Sequence, residues 1–332
     1  MLFEEQISRK PDLYPWTNTF IDAFWNSFWT PNEFNFKSDV HDFKVNLTDE
    51  EREIVTKTLS TVGQVEIAVK TFWSNLGLNL PHPSIADLGG VMGHSEIIHN
   101  RAYIKLLDVL GMEDAFEKNL KVPELKGRVE YLRKHNKKVY ADKKAQYVYS
   151  LILFTLFVEN VSLFSQFYII RWLNRNKNVL KDTAQQTDYT LREEALHAKV
   201  GITLINTLRQ EYPELFDAEL EAKVKKEIQD AYKSEAKIIH WILGDYNGVG
   251  LNANILCEFI KNRMNESLTE IGFGTPFDID EDALVKTRWF DEETTGNLMT
   301  DFFNQKPVEY TKNSKGFSED ELGFDDEDDI FA

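Results

Sequence analysis

The sequence predicts an all-α protein built as a bundle of long helices. Three observations predict it. Apolar residues recur at helical spacing through most of the chain, while strand-like alternation never lasts more than a few residues and no fixed-period repeat appears. Second, the stretch Gly93 to Tyr103 sets Glu96, His99 and Tyr103 on one helix face, among Ile97, Ile98 and Ala102. Third, the Glu-x-x-His spacing of Glu96 and His99 recurs at Glu194 and His197, and of the seven histidines only these two follow a glutamate by three residues. A carboxylate and an imidazole one turn apart can ligate one metal ion, so the pair of motifs predicts a dinuclear site.

The elements follow in order. Residues 1–16 read as irregular, with Pro11 and Pro15. Thr17 to Trp29 has helical periodicity and stops before Pro31, and Asn32 to Leu47 reads as a connection. Thr48-Asp49-Glu50-Glu51 is a capping box that opens a helix to about Asn75, with Gly63 inside it. Gly77, Pro81 and Pro83 mark a loop. Ser84 can cap the next helix, which runs to Gly111 past a weak point at Gly89-Gly90. Short helices are expected over Glu113–Leu120 and from Pro123 to about Lys134. Asp142 to Asn174 reads as a helix apolar on nearly every face, hence central. Thr183–Tyr212, Glu214–Gly244 and Asn252–Gly272 complete the set. The expected organisation is a helical domain over residues 1–305 and a flexible acidic tail over 306–332.

Composition narrows the function. A net charge of −17 disfavours nucleic acid as a partner. Cys257 is the only cysteine, so no internal disulfide can form, and a reducing cytoplasm is the expected compartment. No secretion signal or run of about 18 apolar residues is apparent, so no membrane span is expected. The last residues, Ile330-Phe331-Ala332, are apolar after an acidic run, which suggests a docking peptide.

A dinuclear site in a four-helix bundle takes a further carboxylate from each of two other helices, the pattern of ferritin-like carboxylate proteins. Glu159 stands alone in an apolar segment, where an unpaired carboxylate costs several kcal/mol unless it is neutral or metal-bound. Glu66 is the second candidate; the alternative for it is a surface pair with Lys70 one turn on. The nominated ligands are therefore Glu66, Glu96, His99, Glu159, Glu194 and His197. Two nitrogens and four carboxylates suit iron or manganese, and zinc less well.

With these residues in place, the chain resembles the small, radical-generating subunit of class I ribonucleotide reductase over nearly its whole length. The resemblance rests on Ser27-Phe-Trp29-Thr-Pro31, Ser95-Glu-Ile-Ile-His-Asn-Arg-Ala-Tyr103, Phe157-Val-Glu159, Arg192-Glu-Glu-Ala-Leu-His197 and an acidic tail holding Tyr310. It implies a homodimer that holds an oxidised dinuclear cofactor and draws an electron from a separate, large catalytic subunit. It implies that Trp29 is a buried relay beside His99, that Tyr310 passes the radical between subunits, and that the C-terminal end docks on the large subunit. Tyr103 matches the position where much of the family stores a tyrosyl radical. The family commonly has Asp where Glu193 stands, bridging the ligand histidine and the relay tryptophan. It mostly has Asp in place of Glu66. Glu66 with Lys70 one turn on resembles the subclass called class Id, which implies two manganese ions oxidised by superoxide to Mn(III)/Mn(IV), with Lys70 holding the ligand carboxylates. Two iron ions with a tyrosyl radical are the alternative. Two further readings stay open: a di-metal oxidase or monooxygenase acting on its own substrate, which has no use for Tyr310 or a docking tail, and an iron-storage or structural bundle.

Overall fold

A computed structural model describes residues 1–63, 66–134 and 137–294, the side chains of 66–68 excepted. Helix α1 (Trp16–Ser27) buries Thr17, Ile21 and Phe24, one helical stripe, and the backbone turns extended at Phe28. Residues 32–47 are more ordered than a plain connection. A 3₁₀ turn at Pro31–Glu33, a short helix α2 (Lys37–His41) and a π-helical turn at Asp42–Asn46 fill them. Their acids explain the order, because they cap helix α11 (Lys181–Glu211). Asp39, fully buried, accepts from the backbone N–H of Asp182 (3.2 Å) and from the N–H and hydroxyl of Thr183 (both 2.7 Å). Asp42 accepts from the Leu180 N–H at 2.9 Å, and Asp182 in return accepts from the Phe36 N–H at 2.7 Å. These bonds satisfy N–H groups that a helix start leaves without partners.

The capping box of α3 (Asp49–Val62) forms in both directions, with Glu51 N–H on Thr48 Oγ1 (3.2 Å) and Thr48 N–H on Glu51 Oε2 (3.0 Å). The single helix expected to reach Asn75 is divided instead, because α3 stops before Gly63 and α4 (Glu66–Ser74) follows it. Glycine holds helical geometry weakly.

After α5 (Leu76–Asn79) comes α6 (Pro83–Leu110). Its cap is His82, whose Nδ1 accepts from the Ser84 N–H at 3.2 Å, so Ser84 lies inside the helix. Gly89-Gly90 does not weaken α6. A Cβ on Gly89 would lie 2.6 Å from the Trp73 carbonyl oxygen, and one on Gly93 would lie 2.2 Å from Ser74 Oγ. These glycines let α4 pack directly on α6.

Helices α7 (Glu113–Asn119) and α8 (Pro123–Leu132) lead to the apolar run. That run is not one regular helix. It comprises α9 (Lys143–Leu153), a π-helical segment Phe154–Ser162 and, past Leu163, α10 (Phe164–Lys177). Lys143–Lys177 is long and apolar enough to cross a membrane by length and hydropathy alone, but 94% of its apolar window is buried inside the protein. It is the core of the bundle. Helices α11, α12 (Ala218–Leu243) and α13 (Ala253–Glu270) surround it, and a short α14 (Glu281–Leu284) follows. Among the described residues there is no strand, only an isolated bridge between Gly248 and Leu251. The all-α bundle predicted from periodicity, with the ferritin-like form that the paired Glu-x-x-His motifs pointed to, is the fold observed.

Candidate metal centre

Helix α6 carries Glu96 and His99, α11 carries Glu193, Glu194 and His197, and the π-helical segment carries Glu159. In each Glu-x-x-His motif the three-residue spacing turns the carboxylate and imidazole to the same side. The π-helical geometry adds width to the turn around Glu159, and such irregularities recur at functional sites.

These side chains meet in the core. Ligand atoms of Glu96, Glu159, Glu194 and His197 all lie within 4.8 Å of one another, and all four residues are buried. His197 Nδ1 is 2.8 Å from Glu96 Oε1, 3.3 Å from Glu194 Oε2 and 3.5 Å from Glu159 Oε2. His99 joins from the other side, its Nδ1 3.3 Å from Glu96 Oε2 and 3.2 Å from Glu194 Oε1. Glu96 and Glu194 thus each face both imidazoles.

Both histidines turn Nδ1 inward and anchor Nε2 outward. His99 Nε2 lies 2.6 Å from Glu193 Oε2, and the same oxygen accepts from Trp29 Nε1 at 2.9 Å. The Trp29 and His99 rings lie 6.3 Å apart at an interplanar angle of 27°. His197 Nε2 lies 2.8 Å from Ser95 Oγ, whose hydroxyl donates to the Met92 carbonyl at 2.8 Å. Ser95 is therefore the acceptor for a proton on Nε2. Each anchor places that proton on the outer nitrogen and leaves the inner one able to bind a cation.

Charge is strained in the cluster. Burial pushes both imidazoles down, yet Glu193, Glu194 and Glu96 around His99, and Glu96, Glu159 and Glu194 around His197, hold them well above the usual range. Burial and then the Glu194 charge hold the Glu159 carboxyl well above the usual carboxylate range. Burial opposes ionisation of Glu96 and Glu194 too, but their histidine contacts outweigh it and both are lowered. Both oxygens of Glu96, and Oε2 of Glu159, are buried without a well-formed hydrogen bond among the described residues. Oxygens in that condition, facing two imidazoles, fit a divalent cation bound through hard oxygen and nitrogen donors.

The remaining nominated residues sit as follows. Tyr103 is buried one turn past His99, and its hydroxyl donates to Thr190 Oγ1 at 3.4 Å, one turn before Glu194 on α11. Trp29 is 1% exposed. The Glu66 side chain, Tyr310, the tail 306–332 and its Ile330-Phe331 end lie outside the described residues. Lys70 is exposed on α4, and the Glu66 carboxylate one turn before it lies outside the described residues.

Sequence reasoning missed two members of the site. Ser95 was visible as a lone hydroxyl beside Glu96. Trp73, fully buried, donates from Nε1 to Glu159 Oε1 at 2.6 Å. Its only sequence signal was its place seven residues past Glu66, on the same helical face.

Comparison with known proteins supplies the family. Residues 7–283 match the family described as ribonucleotide reductase, small chain. The ribonucleoside-diphosphate reductase subunit beta of Halalkalibacterium halodurans is 25% identical over 314 residues, covering 93% of this chain and 90% of its own. The crystal structure of a putative class I ribonucleotide reductase from Bacillus halodurans superposes with a TM-score of 0.73 at 24% identity, over 83% of this chain and 99% of its own. Dimanganese(II)-NrdF of Streptococcus sanguinis has the same fold, with a TM-score of 0.72 at 14% identity over 85% of this chain and 97% of its own. The chain belongs to the ribonucleotide reductase small-chain family, whose members serve ribonucleoside-diphosphate reduction together with a large subunit.

Proposed function

We propose that this chain holds two manganese ions on Glu66, Glu96, His99, Glu159, Glu194 and His197 and passes an oxidising equivalent to the large subunit. Bound there and oxidised with superoxide, the two ions would supply a one-electron oxidant. The chain's own residues orient, insulate and connect it. Glu193 joins His99 to Trp29 through a single carboxylate oxygen, at 2.6 and 2.9 Å. That hydrogen-bonded chain is the observation that carries the reading, because it gives an electron a short path from the centre to a buried aromatic residue. The fully or nearly buried Leu163, Phe164 and Phe167 beyond the π-helical segment keep water and reductants away. Tyr310 continues the path across the subunit contact, and the tail 306–332 docks through its apolar end.

A fold neighbour, the NrdF of Streptococcus sanguinis, is described as dimanganese(II), and manganese in this chain is part of the proposal. Tyr103 is the storage site in the iron alternative. The protein acts as a cytoplasmic homodimer. The test is to load metal-free protein separately with Mn(II) and Fe(II), expose each to superoxide or oxygen, and assay with the cognate large subunit. Activity of the manganese form without a tyrosyl signal is expected. A tyrosyl signal with iron and an inert manganese form overturns the manganese reading. Deleting residues 310–332 should abolish reductase activity; retained activity contradicts the tail's role and favours an oxidase with its own substrate.

A further inference from the structure

Both histidines of the cluster have anchors on their own or a facing ligand helix. Glu159 has one from outside those helices, the Trp73 indole on α4, 2.6 Å from Oε1. An indole N–H donates and cannot accept or ligate. Trp73 is 0% exposed, and its ring meets Phe154 edge-on at 5.6 Å and 86°. Phe154 in turn stacks on Phe72 at 3.7 Å and 12°. Phe154 opens the π-helical segment that carries Glu159, so one aromatic group seats both the donor and its acceptor's backbone. The missing side chain of Gly89 completes the seat, since a Cβ there would meet the Trp73 carbonyl at 2.6 Å.

We propose that Trp73 is a positioning residue for divalent-cation binding: its N–H engages Oε1 of Glu159 and so presents Oε2 to the cation. Among the described residues Oε2 is the oxygen left buried without a well-formed hydrogen bond, 3.5 Å from His197 Nδ1. With Oε1 committed, Glu159 enters the centre through one defined oxygen instead of swinging between one-oxygen and two-oxygen binding. The proposal rests on reading the cluster as a dinuclear metal centre. A tryptophan that only filled space would leave metal binding unchanged when an apolar ring replaced it.

The test is Trp73→Phe, which keeps an aromatic ring and removes the donor. Mn(II) is added anaerobically to metal-free protein. Free and bound ion are separated by electron paramagnetic resonance, and melting is followed by circular dichroism. The expected result is a variant that still melts cooperatively without metal, at a somewhat lower temperature, with at least one Mn(II) bound about tenfold more weakly and an altered spectrum of the bound ions. A variant that binds Mn(II) with the parent's affinity and spectrum overturns the positioning role and leaves the metal centre standing. A parent that binds no Mn(II) overturns both. Should the variant not fold, the parent labelled at its seven indole nitrogens decides. Two indole N–H signals, those of Trp29 and Trp73, should move on adding Zn(II). Movement of only one, or of none, overturns the proposal.

Discussion

Two of the buried charge groups in this bundle are balanced in different ways. One joins α8, α10 and α12. Arg128 and Glu235 are both fully buried, with Arg128 Nε 2.8 Å from Glu235 Oε1 and Nη2 2.5 Å from Oε2. The Tyr131 hydroxyl donates to the same carboxylate, and Gln166 Oε1 accepts from Nη2 at 3.1 Å. Every oxygen of Glu235 has a donor supplied by the chain. The other group is the cluster of Glu96, Glu159 and Glu194 around His99 and His197, where buried oxygens remain without well-formed hydrogen bonds among the described residues. The first group is electrostatically closed. The second is complete only when protons or a cation come from outside, and that is what separates a structural ion pair from a metal centre.

Breaking the closed group should have the largest effect on folding. Arg128→Met leaves Glu235 buried without its cation and should cost about 3–5 kcal/mol, read from urea unfolding, with the number of bound Mn(II) ions unchanged. The open group should respond with the opposite sign. Glu159→Gln removes a carboxyl that burial and Glu194 already disfavour in its charged form. Metal-free protein should become more stable by on the order of 1 kcal/mol, while the stabilisation on adding Mn(II) shrinks. A destabilised metal-free variant would contradict the contrast.

The pH dependence follows from the same imbalance. His99 and His197 rest above their unfolded value of 6.5, so the folded chain binds more protons than the unfolded one above that value. Their contribution is fully present below it and is lost as pH rises through the folded values, at up to about 1.4 kcal/mol per pH unit for each proton. Glu159, also raised, acts in the same direction from its unfolded value of 4.5 upward. Unfolding free energies of metal-free protein should therefore fall as pH rises above about 6.5, and Mn(II) affinity should rise with it because binding displaces these protons. The smallest effect is expected from Ser95→Ala. It removes the anchor of His197 and should weaken Mn(II) binding about tenfold with little change in metal-free stability, measured by titration and melting.

Local chemistry made the two Glu-x-x-His motifs and Glu159 legible in the sequence. A three-residue spacing has one geometric meaning on a helix, and a lone acid among apolar residues needs a partner. The capping box at Thr48 and the apolar run through 142–174 were legible for similar reasons. What stayed hidden depends on distance along the chain. Trp73 meets Glu159 across 86 residues, and Arg128 meets Glu235 across 107. No periodicity links such positions. The π-helical turn was hidden because its side chains are as apolar as those of a regular helix. Gly89 read as weakness because a glycine's value in close packing shows only when the neighbouring helix is in place.

The central claim is that the open cluster is completed by metal. The most direct measurement is equilibrium dialysis of metal-free protein against Mn(II) under anaerobic conditions, with Glu194→Ala beside the parent. The parent should bind about two ions per chain, and the variant, which loses the carboxylate facing both histidines, should bind fewer. A parent that binds no ion, or a variant that binds as many as the parent with equal affinity, would contradict it.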